Sequence, residues 1–184
     1  EVAATLAFST IANNDKVGVI FFSDKIEKYI PAQKGKTHVL HIIRELLSFE
    51  PNSKGTDMAQ ALQYFANAQK RHCTAFLISD FIGAGAVDKP LLIASNRHEV
   101  NAIQIYDRRE AELPNIGLVK FHDAESDKDL WIDTSLATVR DDYAQAWKQN
   151  QDLLEQLFTR TGVNHISVRT DEDYVKALMH LFKC

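Results

Sequence analysis

The stretch Thr74–Asp80, Thr-Ala-Phe-Leu-Ile-Ser-Asp, constrains the fold of this chain more than any other. Its apolar residues follow one another without the every-second-residue alternation of a half-exposed strand, and helical patterns lie on both sides of it. That combination predicts a parallel strand covered on both faces. Asp80 then stands at the strand's carboxyl end. In open α/β sheets ligands bind at that edge, because helix amino termini and loop backbone groups converge there.

The rest of the chain repeats the theme. Val2–Ile11 reads as a mostly apolar helix stopped by Asn13-Asn14-Asp15, and Val17–Phe22 as a second buried strand. Ile26–Ile30 alternates like an edge strand, Pro31–Lys36 reads as loop, and Thr37 can cap a helix whose inward stripe is Val39, Leu40, Ile43, Leu46 and Leu47. After an irregular Phe49–Asp57, the residues Met58, Ala61, Leu62, Phe65 and Ala68 mark the next helix. Val87–Asn96 is a helix with Pro90 in its first turn, and Asn101–Tyr106 another strand. Strand, helix, strand, helix, strand predicts a Rossmann-like three-layer sandwich with a mostly parallel sheet. Beyond Asp107 the pattern changes to a hairpin, Leu118–Phe121 with Leu130–Ile132. Ser135–Thr161 follows as a long amphipathic helix with Tyr143, Trp147, Leu154, Leu157 and Phe158 inward and Gly162 as its cap. His165–Val168 is a last strand, and Thr170-Asp171-Glu172-Asp173 opens a final helix burying Tyr174, Leu178, Leu181 and Phe182.

Composition narrows the function classes. At 184 residues and 45% hydrophobic, the chain suits one domain spanning residues 1–184. A net charge of −4 with scattered Lys and Arg provides no footprint for nucleic acid. Cys73 and Cys184 have neither CxxC nor secreted-type spacing, which fits a reducing compartment, and we expect a cytoplasmic location. No apolar run approaches the roughly 20 residues that cross a bilayer. Because the chain opens on Glu1 directly into helix, we expect a preceding segment to have been removed.

Local chemistry accounts for most polar clusters. His38, His41 and Glu45 share a helix face and have zinc-ligand character, but that face is expected to be solvated. The hairpin tip Asp123, Glu125, Asp127, Asp129 has the alternate oxygens of a calcium loop without its glycine and closing glutamate, and reads as a solvated tip. Asp171 and Asp173 complement a helix dipole. Taken alone, Thr56 reads as the N-cap of the Met58 helix and Asp80 as a turn carboxylate. Neither dinucleotide, Walker nor nucleophile-elbow motifs occur, and Cys73 has only His72 beside it as a base, so no enzyme activity is expected.

Gly55-Thr56-Asp57 at a helix entry and Leu77-Ile78-Ser79-Asp80 at a strand end resemble the second and third elements of a metal-ion-dependent adhesion site in a von Willebrand factor A domain. The wider resemblance is to a bacterial family of such domains, domain of unknown function fifty-eight, associated with MoxR-type AAA+ ATPases. It is carried by Asp15-Lys16-Val17-Gly18, Phe22-Ser23-Asp24, Gly55-Thr56-Asp57, Ser79-Asp80-Phe81, Tyr106-Asp107, Arg109-Glu110-Ala111-Glu112-Leu113-Pro114 and Thr170-Asp171-Glu172-Asp173-Tyr174. The family's first element, Asp-x-Ser-x-Ser at the end of a central first strand, is missing here.

The resemblance implies Thr56 and Asp80 as metal donors, with Mg2+ in the intact parent protein and weak or no binding by these residues alone. It implies a non-catalytic protein-interaction module working with a MoxR-type ATPase; the alternative is a magnesium-dependent hydrolase on the same scaffold. Without the central strand, Val17–Phe22 and Thr74–Ser79 either close up directly or recruit another chain, which would make a homo-oligomer.

Overall fold

The structure is a computed structural model, and it describes residues 1–53, 55–83, 86–123 and 128–181. The chain forms two compact units: Glu1–Arg71 with Gly83–Ala94, and His72–Ile82 with Ser95–Cys184.

The first unit starts with α1 (Val2–Ala12), followed by the antiparallel pair β1 (Val17–Phe22) and β2 (Ile26–Gln33). β2 runs on through Pro31, where the sequence suggests loop. Partners shift from Val17↔Gln33 to Val19↔Ile30, so the proline sits in an irregular stretch of an outer strand. There its missing N–H breaks no ladder. Gly18 makes this possible: a Cβ on it would lie 2.7 Å from the Ile30 carbonyl and 2.8 Å from the Ala32 nitrogen.

Helix α2 (Lys36–Ser48) begins after Gly35, whose φ of 103° suits glycine, so Thr37 lies inside the helix instead of capping it. Its buried side chains are Val39 and Ile42, whereas Leu40 and Leu47 are 46% and 85% exposed. The expected inward stripe is therefore rotated. Polar groups explain the rotation: His38 Nε2 donates to the Val17 carbonyl at 2.8 Å, and Glu45 pairs with Lys28 of β2. The face assigned to solvent thus supplies two ties to the hairpin, and only His41 is exposed, 3.9 Å from Glu45. Helix α3 (Met58–Ala68) buries Met58, Ala61, Leu62 and Ala66, near the stripe expected for it.

The second unit holds a parallel sheet in the order β3-β4-β7, from β3 (Thr74–Ser79), β4 (Glu99–Tyr106) and β7 (Asn164–Arg169). The helix α4 (Asp88–Arg97), whose residues up to Ala94 belong to the first unit, precedes β4 in the chain and buries Pro90, Leu91 and Ala94. β4 is the central strand and buries Val100 to Gln104 without a break, as a strand flanked on both sides should. The short α5 (Arg108–Ala111) is closed by a capping box in which Asp107 receives the Arg109 N–H and Glu110 receives the Asp107 N–H. Helix α6 (Ala137–Thr161) turns Leu154, Leu157, Phe158 and Thr161 inward, and Trp147 lies on Tyr106 with ring centroids 5.2 Å apart. Gly162, at φ 66°, ends it in the left-handed conformation as expected. Helix α7 (Tyr174–Leu181) buries Leu178 and Leu181, while Phe182 and Cys184 fall outside the described residues.

The hairpin of β5 (Leu118–Asp123) and β6 (Lys128–Asp133) forms as expected, but its tip residues Glu125 and Asp127 lie outside the described residues. At its base, the wholly buried Thr134 donates its hydroxyl to the Gly117 carbonyl at 2.8 Å and accepts the Ile116 N–H at 3.0 Å. Thr134→Val keeps the shape and strands the Ile116 N–H, whereas the Gly117 carbonyl still accepts the Thr134 backbone N–H at 2.9 Å. The substitution should lower stability by about 1–3 kcal/mol in chemical denaturation, and a change near zero would show that water reaches this joint.

Overall, then, this is a mixed α/β chain with an open parallel three-stranded sheet and antiparallel hairpins. β1 and β3 belong to different sheets, so of the two alternatives stated for these strands, direct pairing does not occur. β1 uses one side on β2 and β3 uses one side on β4; among the described residues no strand takes the other side of either.

Candidate functional site

Two turns carry the residues singled out from the sequence. In the first unit, the loop entering α3 is fastened to the turn between β1 and β2. The Asp57 N–H donates to the Ser23 carbonyl at 2.8 Å. Gly55 packs on Asp24, since a Cβ added to it would lie 3.5 Å from the Asp24 Cβ. Asp57 Oδ1 then accepts the Gln60 N–H at 2.9 Å, which makes Asp57 the N-cap of α3. The local reading of Thr56 as that cap is corrected. One residue of frame decides it: Met58 is the first helical residue, so the cap falls at Asp57. Thr56 is exposed, and its hydroxyl makes no hydrogen bond among the described residues.

The other end of the same loop is also tied. Glu27 accepts the Asn52 backbone N–H at 3.1 Å on one oxygen and the Asn52 side-chain amide at 2.7 Å on the other. Buried Ser23 donates its hydroxyl to Glu27 at 2.8 Å, with Asp24 Oδ1 also within 3.2 Å. These donors, the Asn52 amide foremost and Ser23 next, hold the Glu27 carboxyl below the usual carboxylate range.

In the second unit, Asp80 follows β3, and its Oδ1 accepts the Ile82 N–H at 3.0 Å, the local turn expected of it. Phe81 comes next with φ 58°, an uncommon conformation for a residue with a side chain, and is 1% exposed. Its ring stands edge-on to Phe158 at 5.3 Å. The Asp80 carbonyl accepts Gln104 Nε2 at 3.3 Å, and Gln104 Oε1 accepts the Ser167 hydroxyl at 2.8 Å. Gln104 is buried, so this polar chain ties the carboxyl ends of β3, β4 and β7 together. The same edge carries Asp107, whose Oδ2 accepts the Thr170 hydroxyl at 3.1 Å. The Arg109 N–H first and Thr170 second keep its carboxyl below the ordinary value. Asp171 engages Arg169, and Asp173 accepts the Val175 N–H at 3.0 Å, the helix-entry role expected of it.

Sequence reading missed Gln104 and Glu27. A buried amide inside Asn-Ala-Ile-Gln-Ile-Tyr was a signal for the first, because such a residue in a covered strand needs partners. For Glu27 no local signal exists, since Asn52 lies 25 residues away.

Cys73 sits at the opposite, amino end of the sheet, its Sγ 3.7 Å from His98 Nδ1. Burial pushes its thiol up, away from the thiolate that a nucleophile requires. Burial, followed by Arg97 and His72, holds the His98 imidazole below its ordinary pKa of 6.5. The unfolded chain therefore binds a proton that the folded one resists. The contribution of neutral His98 is complete above 6.5 and is lost as pH falls through the lower folded value. Melting temperature should drop between pH 7.5 and 5.5, and His98→Gln should flatten that slope; equal slopes would rule the imidazole out as its source.

Among the described residues, no three His, Cys, Asp or Glu side chains gather closely enough to hold a metal, and no helix is long and apolar enough to cross a membrane. Thr56 and Asp80 offer a hydroxyl and a carboxylate, both hard oxygen donors suited to magnesium. Each by itself fills one place in a near-octahedral shell.

The class defined so far is an open-sheet α/β protein with a carboxylate-bearing turn at the carboxyl edge of its parallel strands. Within that class, the chain belongs to the family described as protein of unknown function DUF58, whose model matches residues 1–153. It is 30% identical over 177 residues to the uncharacterized protein Rv1480 of Mycobacterium tuberculosis, covering 94% of this chain and 55% of the relative. The chain thus spans about half the length of that curated relative. A shorter relative, the uncharacterized protein MAV169 of Mycobacterium avium, is 30% identical over 158 residues, covering 84% of this chain and 92% of its own. Two solved structures share the fold at 16% identity. One is a conserved hypothetical protein BatB from Bacteroides thetaiotaomicron, with TM-score 0.55 over 99% of this chain and 86% of the other. The other is an aerotolerance-related membrane protein from Bacteroides fragilis, with TM-score 0.58 over 99% and 87%.

Proposed function

We propose that residues 1–184 are part of a non-catalytic protein-interaction module of von Willebrand factor A type, built as a Rossmann-like three-layer sandwich. In this reading Thr56 and Asp80 are two oxygen donors of a metal-ion-dependent adhesion site, and a MoxR-type AAA+ ATPase is its partner. The two supply only part of such a site's donors, and the rest are not assigned to residues of this chain.

The observation that carries the reading is the hydroxyl of Thr56. Because Asp57 takes over the cap of α3, Thr56 is exposed at a fastened turn with no local duty among the described residues. Asp80 supports it more weakly, as one carboxylate oxygen serves the Ile82 N–H and the other remains for a ligand or its water. Magnesium, when bound, supplies an open position that takes a carboxylate from a partner. The chain's part is to hold its two donors still and to leave that position uncovered.

Recovery of partners by the intact parent protein from its host, with and without magnesium, tests this against Asp80→Ala and Thr56→Val. Loss of the same partner in both variants and on chelation is expected. Equal recovery from all samples sinks the reading, and phosphate-ester turnover abolished by Asp80→Ala would replace it with a hydrolase.

A further inference from the structure

Three side chains outside the donors themselves form a closed set of contacts around the Thr56 loop. The loop runs from α2 to α3, and its described residues, 50–53 and 55–57, have no regular structure of their own. A segment like that is ordinarily the most mobile part of a domain. Here it is held at both ends by one turn. Asn52 is bound twice by Glu27, through its backbone N–H and its side-chain amide, and the Asp57 N–H is bound by the Ser23 carbonyl. Ser23 joins the two fastenings, because its hydroxyl donates to the same Glu27 oxygen that receives the Asn52 backbone N–H. Gly55 lets the loop close on this turn, since it packs against Asp24.

We propose that Glu27 is a positioning residue: with Ser23 and Asn52 it forms a clamp that sets the height and direction of Thr56. The assignment rests on the proposed metal reading for its purpose, though the clamp itself is a property of the fold. Charge is part of the device. A carboxylate can accept three N–H or O–H groups at once, each a charge-assisted bond stronger than its neutral counterpart. Glu27 is not a donor to the metal in this assignment, because both its oxygens are turned to Asn52 and Ser23.

The variants Glu27→Ala and Glu27→Gln in the intact parent protein separate the possibilities. Glutamine can still accept Ser23 and the Asn52 backbone N–H, and the Asn52 amide can turn over to meet its nitrogen. Glu27→Ala is expected to speed hydrogen exchange at the Asp57 amide about ten-fold and to weaken Mn2+ binding, followed by the ion's magnetic resonance signal, by a similar factor, with Glu27→Gln recovering most of both. Unchanged exchange at Asp57 in Glu27→Ala overturns the clamp. Glutamine losing as much Mn2+ affinity as alanine, with exchange still slow, overturns the positioning role in favour of direct ligation. No Mn2+ binding by the unsubstituted parent overturns the adhesion-site reading itself and with it the purpose assigned to Glu27, a failure distinct from that of the clamp.

Discussion

Phe81→Ala should remove about 3–5 kcal/mol of stability, the range for truncating a large side chain with almost no solvent contact. Phe81 is 1% exposed and lies edge-on to Phe158 across 5.3 Å, so the substitution opens a cavity that surrounding helix and strand cannot easily fill. Part of the loss belongs to the ring pair itself, about 0.5–1.5 kcal/mol, which a double-mutant cycle with Phe158→Ala isolates. A second comparison probes the backbone. At φ 58° a side chain is disfavoured by roughly 1–2 kcal/mol, and glycine is not. Phe81→Gly should therefore be at least as stable as Phe81→Ala, reversing the usual order. Alanine outlasting glycine in urea would mean that the turn after Asp80 is not left-handed. The strain matters because it falls next to the candidate donor, where a rigid core anchor keeps the carboxylate-bearing turn in one geometry.

Gly18→Ala carries the other large effect. The new methyl would meet the Ile30 carbonyl at 2.7 Å and the Ala32 nitrogen at 2.8 Å, both backbone atoms that cannot rotate aside. Either β1 and β2 part around Pro31 or their register changes, and a loss of about 2–3 kcal/mol is expected. Amide exchange should locate the damage at Val19 and Ile30, whose pairing follows the irregularity. A loss below about 0.5 kcal/mol, the level of an ordinary surface change, would mean that the two strands stand further apart than described.

The reach of sequence reasoning differs from element to element. Thr74–Ser79 and the strand ending at Tyr106 were legible as strands because continuous apolar runs of that length have few other uses. The burial expected of Thr74–Ser79 and Val17–Phe22 is not found, since each has a partner on one side only among the described residues, with Leu77 alone buried in β3 and no residue buried in β1. The long helix up to Gly162 was legible because a glycine after an amphipathic run marks a left-handed stop. Helix α2 was misread in its facing, as its apolar residues surround more than one side and the choice fell to His38 and Glu45, whose partners are distant in the chain. Thr56 and Asp57 are neighbours, and both residue types cap helices; only the position of the first helical turn chooses between them.

From the order of its residues alone this chain was committed to alternating helices and strands, to Asp80 at a strand's carboxyl end, and to a hairpin before the long helix, since periodicity and turn chemistry are local properties. Tertiary structure decided which oxygen is left over at the α3 entry, which polar side chains bridge β3, β4 and β7, and that Glu27 grips a loop 25 residues away. Those outcomes depend on which backbone groups would otherwise be buried without a partner, and that is settled only when distant segments meet.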